Sequence, residues 1–159
     1  MGWPFIAIVS GGFDPVTIGH VRMFKEAASL ADRLFVIVNN DNWLIQKKGF
    51  VFMPQAERIE IIEAIKYVEF AMATFHDKDC EDMSVANELA FMALASPDWR
   101  FIFCNGGDRK EGCLPTAEEK VCQELGIEMR YNVGGEKIQS SSWLVEKAKG
   151  ACRTVMEVK

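Results

Sequence analysis

Residues 5–9 read Phe-Ile-Ala-Ile-Val and run straight into Ser10-Gly11-Gly12. An unbroken apolar run this short, closed by glycines, predicts a strand over Pro4 to Ser10 that is buried on both faces, because alternate side chains of a strand point to opposite sides. Such a strand needs a covering layer on each side of its sheet. The rest of the chain supplies it. Val21 to Leu30 carries Val21, Phe24 and Ala28 at helical spacing. Arg33 to Asn39 is a second buried strand, and Asn40 to Phe52 reads as a polar, basic loop. Pro54 opens a helix bearing Ile59, Ile62 and Ile65, with proline in the first turn. Val68 to Ala73 is a third strand, Met83 to Leu94 a helix stopped by Ser96-Pro97, and Trp99 to Cys104 a fourth strand. Thr116 and Glu119 have capping-box spacing for a helix that ends at Gly126. Glu128 to Val133 is the fifth strand and Ser140 to Lys149 the last helix, while Gly150 to Lys159 shows no pattern.

Strict alternation of strand and helix predicts an α/β fold: one Rossmann-like, doubly wound domain over 1–159, with a five-stranded parallel sheet and helices on both faces. The length of 159 residues suits one domain. Net charge is −5, which disfavours nucleic acid as a partner, since phosphate backbones require clustered positive charge. No apolar stretch approaches a membrane span, and the N-terminus lacks a basic region ahead of its apolar run, so neither membrane nor export is expected. Five cysteines without a C-x-x-C pair read as free thiols in a cytoplasmic protein, and no metal ligand set is expected.

In a parallel sheet of this kind, ligands bind beyond the carboxyl ends of the strands. Gly11 to His20 follows the first strand, Asn39-Asn40-Asp41 and then Lys47-Lys48 the second, Asn105 to Arg109 the fourth, and Gly134 to Ser142 the fifth. Glycines, hydroxyls and cations thus collect at one edge. Two of these segments open helices, whose N-terminal N–H groups and positive dipole end suit phosphate. The pattern is that of a polyphosphate site. It contains neither G-x-x-x-x-G-K-[ST] nor G-x-G-x-x-G. His76 has no motif around it and reads as surface.

The stretch Gly12-Phe13-Asp14-Pro15-x-Thr17-x-Gly19-His20 resembles the G-x-F-D-x-x-H-x-G-H signature of the cytidylyltransferase-like nucleotidyltransferase superfamily. Three further matches follow in order: Lys47-Lys48, Arg58 within Gln55-Ala56-Glu57-Arg58, and Gln139-Ser140-Ser141-Ser142. Asn105-Gly106-Gly107-Asp108 is similar to the adenylyltransferase part of ADP-heptose synthase. The lysine loop and Ile65-Lys66-Tyr67-Val68 are similar to glycerol-3-phosphate cytidylyltransferase. Thr17 stands where most members carry the first histidine, which leaves more of the work to His20.

The resemblance implies transfer of a nucleotidyl group from an NTP, ATP favoured over CTP, to a phosphorylated small molecule such as a sugar or polyol phosphate, with release of pyrophosphate. It implies His20, Lys47 and Lys48 as catalytic residues. It places Gly12, Phe13, Thr17, Gly19, His20, Gly106, Gly107, Asp108, Ser140, Ser141 and Ser142 on the nucleotide, and Asn40, Asp41, Arg58 and Arg109 on the acceptor. Mg²⁺ would arrive with the nucleotide, and relatives of this kind form homodimers. A nucleotide-binding sensor without turnover, or a structural subunit, are the alternatives on the same fold.

Overall fold

A computed structural model describes residues 2–107 and 109–157, with side chains described as far as Ala151. In chain order the elements are β1 (Phe5–Gly11), α1 (Ile18–Ser29), β2 (Arg33–Val38), α2 (Asp41–Lys48), α3 (Gln55–Glu63), β3 (Phe70–Ala73), α4 (Ala86–Ala95), β4 (Arg100–Gly106), α5 (Thr116–Leu125), β5 (Glu128–Val133) and α6 (Ser141–Glu157). All five strands pair in parallel, in the spatial order β3-β2-β1-β4-β5. The predicted Rossmann-like α/β sheet is therefore the one observed.

The two-faced burial read from β1 is explicit in the packing. Ala7 and Val9 join Phe24, Val36, Val38 and Ile62 on one side of the sheet. Ile6 and Ile8 join Leu89, Met92, Phe101, Phe103 and Cys122 on the other. α1 and α3 therefore cover one face, and α4 and α5 cover the other. The chain winds outward from β1 in one direction and, from β4, in the opposite direction. The order reverses between β1 and β4, and the loops leaving those two strands diverge to leave a crevice.

Four local expectations are corrected. The segment 40–52 is not wholly a loop, because residues 41–48 form α2. Only Leu44 of that helix is buried, so no apolar stripe announces it. Its ends hold it instead: the Asn40 side chain accepts from the Trp43 N–H, and Gly49 closes it in the left-handed conformation. Three of its side chains also donate to carbonyls of the β3–α4 connection, Asn42 to His76, Trp43 to Met83 and Gln46 to Cys80. The Thr116–Glu119 capping box does not form, because Pro115 takes the cap position and Glu119 accepts from the Gly112 N–H. Pro54 likewise caps α3 rather than entering it. His76 is buried, held between Thr74 Oγ1 at 2.7 Å and the Ser84 carbonyl at 2.9 Å. Beyond these, α6 continues past Lys149 to Glu157. No helix among the described residues is long and apolar enough to cross a membrane.

Candidate active site

A cleft of about 360 Å³ opens at the carboxyl ends of β1, β4 and β5. Its floor starts at Ser10, Gly11 and Gly12. Gly11 is small for a reason: a Cβ there would lie 3.0 Å from the Phe13 ring. Phe13 has a φ of +50°, a conformation that costs a bulky residue about 1–2 kcal/mol. The buried ring holds it there, packed edge-on against Phe24 at 5.2 Å and against His20 at 5.0 Å.

His20 sits at the third position of α1. Its Nδ1 accepts a 2.9 Å hydrogen bond from the Thr17 N–H. A backbone N–H can only donate, so Nδ1 carries a lone pair and the ring proton resides on Nε2. The imidazole is thereby fixed as a donor within the cleft wall. Thr17, at the position of the usual first histidine, forms the N-cap of this helix, and its Oγ1 lies 3.3 Å from the same Nδ1.

The opposite wall is the start of α6. Ser140 caps the helix, accepting from the Trp143 N–H at 3.2 Å, and Ser141 anchors it by donating to the Pro15 carbonyl at 2.7 Å. Ser142 lines the cleft beside them. Two helix N-termini, those of α1 and α6, thus flank one cavity. Lys48 closes a third side. The residue as a whole is exposed, but its Nζ lies 3.8 Å from where a Cβ on Gly12 would stand. Desolvation there pulls the Lys48 pKa below the ordinary lysine value. Asp14 opposes that shift, while Arg58 and Lys137 add to it. Lys47 is exposed on the same helical turn and does not line the cleft.

The far end is walled by backbone. Gly106 and Gly107 face Gly134 and Gly135, and a Cβ on Gly107 would collide with the Gly135 carbonyl. The β4–β5 register slips between Cys104 and Gly106, just before this contact. Arg109 lines this end and pairs with Glu118 at 3.5 Å. Asp108 lies outside the described residues. Cys104 lines the floor, and burial pushes its thiol up to about 12, so it stays protonated.

The remaining predicted residues lie beneath the cleft rather than in it. Arg58 is fully buried. It donates to the carbonyls of Met53, Gly12 and Asn39 at 2.9, 2.6 and 2.7 Å, and to Asp41 Oδ1 at 2.7 Å. Asp41 Oδ1 also accepts from the Gln55 N–H. Asn40 donates to the carbonyls of Thr74 and His76. Asn40, Asp41 and Arg58 therefore brace the loops that form the cleft, through the Asn40 amide, Asp41 Oδ1 and the Arg58 guanidinium. Asp14 has a similar role: its two oxygens accept from the Phe52 and Met53 N–H groups, tying the segment after α2 under the β1 loop. Lys137 and Asn105 also line the cleft. Lys137 follows β5 and Asn105 stands at the carboxyl end of β4, and that position at the strand ends is the signal by which sequence finds them.

Fold and site together define a Rossmann-like α/β protein with a cleft lined by glycines, hydroxyls and cations at its topological switch point. The cytidylyltransferase-like family model matches residues 8–103, and the chain belongs to that family of nucleotidyltransferases. Among curated proteins it is similar to the FAD synthase of Thermococcus kodakarensis, 38% identical over 63 residues, which are 39% of this chain and 42% of that one. The FAD synthase of Thermococcus sibiricus is 31% identical over 99 residues, 60% of this chain and 66% of that one. The chain thus spans about two-fifths of the length of the first of these relatives and less than two-thirds of the second. Among solved structures, the lipopolysaccharide core biosynthesis protein from Thermoplasma volcanium shares the fold, with a TM-score of 0.58 and 23% identity over 80% of this chain and 93% of that chain.

Proposed function

We propose that this protein transfers an adenylyl group from ATP to the phosphate of a small molecule, releasing pyrophosphate, and that FMN is the acceptor. The observation that carries the reading is the position of His20: a neutral imidazole at the N-terminus of α1, held as an Nε2–H donor, across one cleft from the N-terminus of α6. A triphosphate fits that arrangement. His20 donates to an α-phosphate oxygen as charge builds there, Lys48 neutralises the neighbouring phosphates, and the α6 end with Ser140 and Ser142 holds the departing pyrophosphate. The acceptor phosphate oxygen attacks the α-phosphorus in line. The new O–P bond forms as the α–β bridging bond breaks, and the electron pair leaves with pyrophosphate. A phosphate monoester is already a nucleophile at neutral pH, so positioning and charge stabilisation are the whole task.

The described residues hold no group of three acidic, His or Cys side chains able to cage a metal. Mg²⁺ arriving with the nucleotide would supply charge neutralisation at the phosphates with few protein ligands. The acceptor choice rests on the FAD synthases to which the chain is similar.

The test is to incubate the purified protein with Mg²⁺ and ATP or CTP, with FMN or glycerol phosphate, and to follow pyrophosphate and FAD by chromatography. FAD and pyrophosphate in equal amounts, from ATP and FMN alone, are expected. Pyrophosphate only with glycerol phosphate would move the acceptor, and none with any pair would sink the reading. His20→Ala should lower turnover by about 10²–10³-fold, the usual effect of deleting one oxyanion donor, without lowering Tm by more than about 2 °C.

A further inference from the structure

Glu118 stands out as a buried carboxylate outside the machinery above. It lies in the first turn of α5 with 2% of its surface exposed. Its Oε1 accepts from the Val85 N–H at 3.0 Å, which ties α5 to the start of α4. Its Oε2 is buried with no hydrogen-bond partner and faces the Arg109 guanidinium, 3.5 Å from Nη1. Arg109 is the only cation paired with it among the described residues, and Arg109 lines the cleft.

The backbone reinforces this placement. The Arg109 N–H donates to the Gly106 carbonyl at 3.0 Å, so the arginine leaves a tight turn directly beyond β4. One end of its side chain is thereby fixed to the Gly106-Gly107 wall, and the guanidinium is fixed by a carboxylate on a different element. An arginine side chain carries substantial rotamer freedom, which a rigid anion at its base removes before a ligand arrives. The guanidinium has five N–H donors in a planar fork. An anion on one edge leaves others directed elsewhere, and such forks suit phosphate oxygens.

The energetics argue that this carboxylate is not there for stability. Burial raises the Glu118 pKa; the Val85 N–H and then Arg109 only partly oppose it, and Asp82 and Glu88 add to the rise. A carboxyl whose folded pKa exceeds its unfolded value costs nothing below the unfolded value. It then subtracts stability as pH rises toward and through the folded one. As pH rises past the unfolded value, ionisation of this group therefore subtracts stability relative to its protonated form.

We infer that Glu118 is a positioning residue that orients Arg109 so that its guanidinium meets a phosphate oxygen of the cleft ligand. The inference rests on the nucleotidyl-transfer reading and deepens it. Glu118 itself touches no substrate. The experiment is a double-mutant cycle with Glu118→Gln and Arg109→Ala, scored by kcat/KM, by ATP affinity and by Tm. Glutamine keeps an oxygen for the Val85 N–H and removes the charge.

Expected are a roughly tenfold fall in kcat/KM for Glu118→Gln, a larger fall for Arg109→Ala, and a double variant no worse than Arg109→Ala. Coupling of that size is what contacting residues show. The Tm of Glu118→Gln should equal or exceed that of the parent at pH 7, and the double variant should be more stable than Arg109→Ala, which leaves the buried charge unpaired. Losses that simply multiply, or a Glu118→Gln protein with parental kinetics, would overturn the inference while leaving the transfer reading intact. A parent protein that neither binds ATP or CTP nor releases pyrophosphate overturns both. Should Glu118→Gln fail to fold, Arg109→Lys decides instead. An ammonium keeps the charge next to Glu118 but loses the fork, so parental kcat/KM in that variant counts against the assignment.

Discussion

Removing the guanidinium of Arg58 would leave three backbone carbonyls, those of Gly12, Asn39 and Met53, without their buried donor, and would deprive Asp41 of its cation. Each unsatisfied buried acceptor costs about 1–3 kcal/mol, and breaking a buried pair by deleting one partner costs about 3–5 kcal/mol. For a chain of this length each kcal/mol moves Tm by about 2–4 °C. Arg58→Ala is therefore expected to lower Tm by about 10 °C or more in thermal denaturation. Arg58→Lys should recover little, because one ammonium cannot span acceptors arranged around a planar fork. Any activity lost in these variants should follow the loss of folded protein. A stable Arg58→Ala protein with impaired substrate affinity would show instead that the arginine acts on the ligand. His20 is the opposite case. It is only half-buried, its bond to Thr17 lies within one helical turn, and its loss touches chemistry rather than folding.

α2 joins these residues to the cleft, and it is the element that sequence least revealed. The inner strands were legible because burial on both faces leaves unbroken apolar runs, and Arg33 to Val38 appears almost as read, as does the edge strand Glu128 to Val133, whose residues alternate in exposure. The cleft loops were legible because glycines and hydroxyls follow those runs directly. α2 has neither signal. It is held by an N-cap, a left-handed glycine and side-chain bonds to residues more than 30 positions away, none of which leaves a periodic trace. Arg58 was legible as a matched position but not as a buried one, since only the fold shows that Gly12 and Asn39 lie above it. The helix also separates its two terminal lysines. Lys48 turns toward Gly12 while Lys47 remains outside. A lysine neutralises phosphate only while protonated, and the Lys48 pKa is lowered, chiefly by desolvation. As pH rises through that lowered value the charge disappears, so kcat/KM should fall on an alkaline limb below the ordinary lysine value of about 10.4. Lys48→Ala should lower kcat/KM at pH 7 and abolish the limb, and Lys47→Ala should retain it. A limb that follows Lys47 instead would reverse the assignment.

Across the whole molecule, a net charge of −5 coexists with a cleft to which His20, Lys48, Arg109 and Lys137 all contribute. An acidic body repels a polyanionic chain, whereas a local cluster of donors inside a concave site still binds a compact anion, because field lines concentrate in such clefts. That charge distribution agrees with the proposed nucleotide ligand. The end of the cleft opposite the α6 hydroxyls bears on which nucleotide. Gly106, Gly107, Gly134 and Gly135 line it and project no side chains, and on the adenylyl-transfer reading ATP is the expected nucleotide. A ligand that binds only the folded protein raises stability by RT ln(1 + [L]/Kd), about 2.7 kcal/mol at a hundredfold excess over Kd. At about 2–4 °C per kcal/mol, ATP with Mg²⁺ at that excess should raise Tm by roughly 5–10 °C. CTP at the same concentration should raise it less. Gly107→Ala should diminish the ATP shift without abolishing the fold, since the new methyl group must push the Gly135 carbonyl away and narrow the slot. An equal or larger shift with CTP would assign the glycine walls to the smaller base. A Gly107→Ala protein with an undiminished ATP shift would place the base elsewhere in the cleft, leaving the phosphate end between α1 and α6 as the part that ATP and CTP share.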